Sequence, residues 1–237
     1  MSGPSKKIVL DDAVIPHRRS LSDDVVDRLR SAIVRGTFVP GQRLNEVALA
    51  EAFSVSRGPI REALTILERE GLLQVERHRG ARVTLLSRRD IDEIYELRLA
   101  LERLAMERAA MLATSEDCAA MARIVELLRD AVERKDAFSV VALDVQFHDC
   151  IYRAARHDRL YQSWALLRPQ IETFLSSRPS EQSAYLDKAV AEHTDLLDVI
   201  RRHARDEAVV MIENHIRSAY DRVATFTFSA ALREEHT

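Results

Sequence analysis

No glycine occurs after Gly80 in this chain of 237 residues. Tight turns and hairpins draw on the positive φ that glycine adopts freely. Their scarcity excludes a β-rich architecture for the longer part of the chain and predicts an all-helical one. Cysteine is nearly missing too, since Cys118 and Cys150 are the whole supply. Two cysteines do not make a disulfide framework, and both thiols are expected reduced. No apolar run approaches the roughly 18 residues of a membrane span. The opening, MSGPSKKIVLDDAVIPHRR, is broken by charges and holds no signal-peptide core. These absences point to a cytoplasmic protein with no membrane partner. Lysine is missing from residues 18–89, where 14 Arg stand against 9 Asp and Glu, a net of +5. Residues 1–17 balance at zero, so an overall charge of −3 leaves −8 for residues 90–237. One basic region on an acidic chain is the footprint of a nucleic-acid-binding domain.

Five of the six glycines lie between Gly36 and Gly80, around the most informative stretch of the chain. Residues 45–71, NEVALAEAFSVSRGPIREALTILEREG, read as two short helices and a tight turn. Asn45 caps the first, whose apolar contacts are Val47, Ala48, Leu49, Ala52 and Phe53. Ser54 and Val55 make the turn, and Ser56 stands where an N-cap belongs, its hydroxyl free to accept a backbone N–H. Pro59 falls in the first turn of the second helix, where a missing N–H costs nothing. Ile60, Ala63, Leu64 and Leu67 recur at helical spacing, and Gly71 ends the helix in the left-handed conformation. Arg57, Arg61 and Thr65 point away from that stripe. This is helix-turn-helix geometry with the second helix free to enter a major groove, and arginine suits bidentate bonding to guanine or phosphate. Two packed helices with solvated arginines would show the same pattern. Residues 72–76 and 81–85 then read as two strands around a basic turn, Arg77-His78-Arg79-Gly80, the wing of a winged helix.

The run SVSRGPIREALTILEREGLL…RGARV resembles the DNA-binding domain of the GntR family of bacterial transcription regulators. The preceding residues 33–44, IVRGTFVPGQRL, match that family's link between its first two helices. The resemblance implies DNA contacts from Arg57 and Arg61, with Ser56 and Thr65 beside them, and from the wing tip around Arg79 and Gly80. Relatives often carry a basic residue early in the second helix. Here Val47 stands there, and Arg43 is the candidate substitute.

The expected organisation is mostly α, an N-terminal winged helix-turn-helix followed by a C-terminal all-helical bundle. Residues 1–19 form an arm, 20–86 the winged helix, 87–232 the helical domain and 233–237 a tail. Ser20 or Ser22 caps a helix through Arg35. The helical domain reads as six helices: about 88–113, a second opened by the cap cluster 114–117 and reaching Lys135, about 136–156, one capped by Asp158 and ending near Ser177, one opened by Pro179 and Ser180 and reaching His203, and one opened by Asp206.

Polar residues interrupt the apolar seams of three of these helices. Asp144 and His148 sit at i and i+4 within Val141, Ile151 and Ala155, so both project from one face. His193 lies within Leu186, Val190, Leu197 and Ile200, and His215 within Ile212 and Ala219. Buried unpaired, such groups cost several kcal/mol each. A shared divalent cation would satisfy all four, as in metal sites inside helix bundles. Each histidine taken alone also fits an ordinary hydrogen-bonded core residue. The other histidines, His17, His78, His157, His203 and His236, fall at ends, turns or exposed places.

Asp144-x-x-Phe147-His148, Glu192-His193 and His215 resemble the metal-binding pattern of the FCD effector domain, which defines the FadR branch of the GntR family. Arg98-x-x-x-Glu102 fits that domain too. The resemblance implies that Asp144, His148, His193 and His215 hold a divalent metal, often zinc, with positions open for an effector. Three nitrogens and one oxygen suit Zn²⁺, Ni²⁺ or Mn²⁺. Arg98 shares a helical face with Ile94, Leu101 and Ala105. It either forks onto a ligand carboxylate or pairs internally with Glu102. Tyr152 and Asn214 are further candidates to line the cavity. The function expected is a homodimeric repressor that reads a near-palindromic double-stranded operator and answers to a small organic acid. The alternatives are a metal-dependent hydrolase or oxygenase, a sensor for which the metal itself is the signal, and a purely structural metal.

Overall fold

A computed structural model describes residues 20–76, 80–176 and 183–234. The elements run α1 (Leu21–Val34), β1 (Arg43–Leu44), α2 (Glu46–Phe53), α3 (Arg57–Arg69), β2 (Leu73–Glu76), β3 (Gly80–Val83), α4 (Arg88–Leu112), α5 (Ser115–Glu133), α6 (Ala137–Ala154), α7 (Asp158–Ser176), α8 (Ser183–Arg201) and α9 (Arg205–Glu234). The expected arm, Pro179, Ser180 and the last three residues of the expected tail lie outside the described residues, as do Arg77, His78 and Arg79 at the wing tip.

The winged helix has its own core. Val25, Val26, Leu29 and Ile33 of α1 meet Ile60, Ala63, Leu64 and Leu67 of α3 and Leu72, Leu73, Ala81 and Val83 of the hairpin. A capping box between Ser20 and Asp23 starts α1. Asn45 caps α2 by accepting from the N–H groups of Val47 and Ala48. Two expectations give way here. Of the apolar residues assigned to the inner face of α2, Val47, Ala48 and Ala52 are exposed, and Leu49 and Ala50 carry the burial with Phe53 at the edge. An eight-residue helix has too few turns to face five apolar residues inward. Ser56 holds the N-cap position in extended backbone, but its hydroxyl makes no cap bond.

The sheet holds one strand more than the sequence foretold. β1 pairs antiparallel with β3, which also pairs with β2, giving the order β1-β3-β2. Gly80 opens β3 opposite Glu76 at φ +87°. A Cβ there would stand 2.6 Å from the Leu44 carbonyl oxygen. Glycine is therefore required for β1 to approach, whatever else the wing tip touches.

The helical domain packs α4 through α9 around Phe147, Ile151, Trp164, Ile171, Leu197, Ile200, Ile212 and Ile216. Capping boxes at Ser87 with Asp90 and at Thr114 with Asp117 start α4 and α5 as expected. Asp158 is the first residue of α7 rather than its cap, and the Leu160 N–H donates to His157 Nδ1 at 3.3 Å. With no glycine available, Lys135, Arg156 and His203 take φ of +50° to +55° at the ends of α5, α6 and α8. The domain accepts a small local strain at each of these turns. α7 carries its Pro169 internally, and also packs against α1 of the winged helix.

Candidate metal centre and nucleic-acid interface

Asp144 and His148 of α6, His193 of α8 and His215 of α9 converge inside the helical domain. Each offers a ligand atom, and these atoms all lie within 4.8 Å of one another. All four residues are buried, His148 and His193 completely. The outer nitrogen of each ring is held by a neighbour. His148 Nδ1 lies 3.0 Å from Glu102 Oε2, His193 Nδ1 lies 2.7 Å from the Ala189 carbonyl, and His215 Nδ1 lies 3.1 Å from Glu192 Oε2. An acceptor on Nδ1 fixes the tautomer that leaves the Nε2 lone pair for a metal. His193 Nε2 has no hydrogen bond although fully enclosed, and stands 3.3 Å from Asp144 Oδ1. His148 Nε2 and His215 Nε2 are also 3.3 Å apart.

The two 3.3 Å spacings match donors that share one ion, since metal–ligand bonds of about 2.1 Å set neighbouring ligand atoms roughly 3.0–3.4 Å apart. Three imidazoles and one carboxylate are a donor set for a borderline divalent cation. Burial, first, and the neighbouring histidines push His215 down to about 4, so it stays neutral at physiological pH. Burial alone would raise Asp144, but His193, His148 and Arg98 hold it well below the usual carboxylate range. The carboxylate is therefore ionised.

Arg98 of α4 stands beside this cluster, 1% exposed. Its Nε lies 3.3 Å from Glu102 Oε1, while Nη1 and Nη2 have no hydrogen-bond partner. The internal ion pair is present, yet the fork of the guanidinium is left over. The buried Tyr152 hydroxyl is also without a partner, and its ring stacks on Trp164 with centroids 4.7 Å apart. Asn214 is exposed on α9 and does not join the cluster. One residue around a helix turns the side chain by about 100°, so neighbours of an inward His215 face elsewhere. Glu102 does more than the sequence showed, because the same carboxylate holds both Arg98 and His148. Its i,i+4 relation to Arg98 was legible, but the link to a histidine on another helix was not.

On the other domain, Arg57 and Arg61 project from α3 with side chains 56% and 61% exposed. Both reach the same oxygen, Glu46 Oε2, at 3.3 and 2.9 Å. Glu46, at the start of α2, was not singled out from the sequence. Hydrogen bonding to Arg61, first, and to Arg57 lowers its carboxyl below the ordinary range. Thr65 is exposed, but its hydroxyl donates to the Arg61 carbonyl at 2.9 Å. Ser56 is exposed at the start of α3, and Arg43 is exposed on β1.

Two family descriptions match the chain where these sites lie. Residues 21–83 match "Bacterial regulatory proteins, gntR family", and residues 93–218 match "FCD domain". The chain belongs to the GntR family. A Bacillus licheniformis gluconate operon transcriptional repressor is 35% identical over 193 residues, covering 80% of this chain and 79% of that protein. The Bacillus subtilis protein of the same name is 32% identical, covering 84% and 83%. Escherichia coli McbR/YncC shares the fold at a TM-score of 0.79 and 23% identity, over 88% of this chain and 99% of that one. GntR regulators bind operator DNA and are typically dimeric. This one is a DNA-binding transcriptional repressor with an FCD domain, and its relatives are regulators rather than enzymes. Among the described residues no helix is long and apolar enough to cross a membrane.

Proposed function

We propose that this protein is a cytoplasmic repressor whose grip on a near-palindromic operator is set by a small organic acid bound at a divalent metal. The metal is zinc, with nickel or manganese as the alternatives. Asp144, His148, His193 and His215 hold it, and when bound it supplies coordination positions for an oxyanion. The observation that carries the reading is the buried Arg98. A guanidinium with two unpartnered nitrogens beside a metal-ligand cluster is costly unless something else fills its fork. A ligand carboxylate does so, with the Tyr152 hydroxyl as a further donor. The two Bacillus relatives repress gluconate operons. A sugar acid has the carboxylate and hydroxyl groups that this donor set takes.

Residues 20–86 read the DNA and residues 87–232 hold the ligand and join the copies. Arg57 and Arg61 meet base edges in the major groove. Ser56 and the uncapped N–H groups of α3 take a backbone phosphate, favoured there by the helix dipole. Arg43, Thr65, Gly80 and Arg79 flank them. Two copies place two recognition helices on two half-sites. Ligand binding shifts the arrangement of the winged helices, a coupling of typically 1–3 kcal/mol.

Elemental mass spectrometry of tag-free protein, purified without chelator, tests the centre. About one metal per chain in the parent and none in His193→Ala is expected. No metal in either would make the cluster ordinary core and detach the acid from it.

A further inference from the structure

The two hydrophobic cores of the chain approach one another without merging, and a cavity of about 150 Å³ lies between them. Ile33, Leu72 and Val83 bring the winged-helix core to one side of it. Ile91 and Phe174 bring the helical core to the other, and Leu86 of the connecting segment joins them. The cavity is not slackness of the whole joint. Gly71, on the same wall, packs so closely that a Cβ there would stand 2.6 Å from the Gln170 side chain. Among the described residues no charged group lines the cavity. Two hydroxyls do, and they differ. That of Thr173 donates to the Pro169 carbonyl at 2.9 Å. That of Thr84 is enclosed and has no hydrogen-bond partner, although the Thr84 backbone N–H donates to the Leu72 carbonyl at 3.0 Å. An enclosed hydroxyl left unpaired is costly and asks for a partner.

We propose that this cavity is a second ligand site, for a small neutral ring carrying one hydroxyl, a molecule of the phenol class. The walls set the size and the charge. A cavity of about 150 Å³ lined by Leu, Ile and Phe takes a molecule the size of benzene. It does not favour water, which needs several polar partners. A carboxylate there would be buried without a counter-charge, so the site refuses the acids proposed for the metal centre. Thr84 sets the one polar group, since its hydroxyl can donate to a ligand hydroxyl or accept from it. Phe174 offers a ring to meet the ligand's own, offset or edge to face. A wider cavity of about 450 Å³ shares Thr84, Leu86 and Gln170 with this one. Gln74, Asp90 and Glu93 on its walls make it a polar approach from solvent. Leu72 comes shortly after the end of α3, and Ile91 lies in the first turn of α4. A molecule held between them bridges the winged helix and the start of the helical domain.

Carbon-13 NMR of the full chain, labelled at its methionine methyl groups, tests the site. Leu86→Met conserves volume at a half-buried position of the wall and adds one reporter signal, identified against the parent spectrum. Ile91→Met repeats the measurement from the opposite wall. Phenol is titrated into each, and into each combined with Thr84→Val, with benzoate as the charged comparison. A saturable shift of the added signal by phenol is expected, and none by benzoate. Thr84→Val should weaken phenol binding about two- to ten-fold, the worth of one hydrogen bond. No saturable shift of either reporter at millimolar phenol would overturn the site. A shift confined to the native methionine signals would place the phenol elsewhere and overturn it equally. Benzoate binding as tightly as phenol, or an affinity that Thr84→Val leaves unchanged, would overturn the ligand class.

Discussion

The two halves of this molecule place their charge in opposite ways. The winged helix carries net positive charge from arginine and shows it at the surface, where Arg57 and Arg61 share the half-buried carboxylate of Glu46. The helical domain is acidic overall and hides its decisive charges, with Arg98, Glu102, Asp144 and three histidines buried together. The difference matches what the proposed function asks of each half. A duplex is a large polyanion met at a surface, where contacts form by exchanging counterions. A small acid is selected by donors already desolvated and aimed, so the cost of ordering them is met during folding. The same arginine chemistry thus serves reach in one domain and enclosure in the other.

The strongest way to break this contrast is to unbalance the buried half. Glu102→Ala removes the partner of both Arg98 and His148 and leaves a buried cation unpaired, a loss of about 3–5 kcal/mol. Denaturant unfolding followed by circular dichroism should show the helical domain destabilised by that amount. A variant as stable as the parent would mean that the cluster is open to water. Next in size is Arg61→Ala. Fluorescence anisotropy on a selected operator should show about 1–3 kcal/mol of lost affinity, with thermal stability unchanged because the side chain is mostly exposed. Arg57→Ala should behave alike, and operator affinity equal to the parent's would remove α3 from the interface. The smallest effect is expected for Glu46→Gln. The exposed pairs it breaks are worth less than about 1 kcal/mol of stability. Discrimination between operator and random duplex should nonetheless fall a few-fold, since both arginines lose the carboxylate that holds them side by side.

The contrast also explains what could be read from the sequence. The helix-turn-helix was legible because its signals are local: Asn45 as a cap, Pro59 in a first turn, Gly71 at a helix end. The buried cluster was legible because Asp144 and His148 share a face and because each histidine interrupts an apolar seam. Other features depend on a second element that spacing along one helix does not reveal. Strand β1 is two residues long and has no periodicity of its own. Glu192 reaches His215 across two helices, and Glu46 meets Arg57 and Arg61 only once α2 and α3 are packed. Asn214 was misplaced for the opposite reason, because nearness in sequence was read as nearness in space. His157 rather than Asp158 serves the start of α7 because a ring nitrogen can accept there as a carboxylate would.

The decisive test is whether the enclosed site speaks to the exposed one. Operator affinity should be measured by anisotropy while hydroxy acids such as gluconate are titrated in, for the parent and for His193→Ala. The prediction is that at least one acid weakens the parent's binding by about five-fold or more, while His193→Ala binds the operator normally and does not respond. An equal response in both proteins would contradict it, because the acid would then act without the centre built from Asp144, His148, His193 and His215.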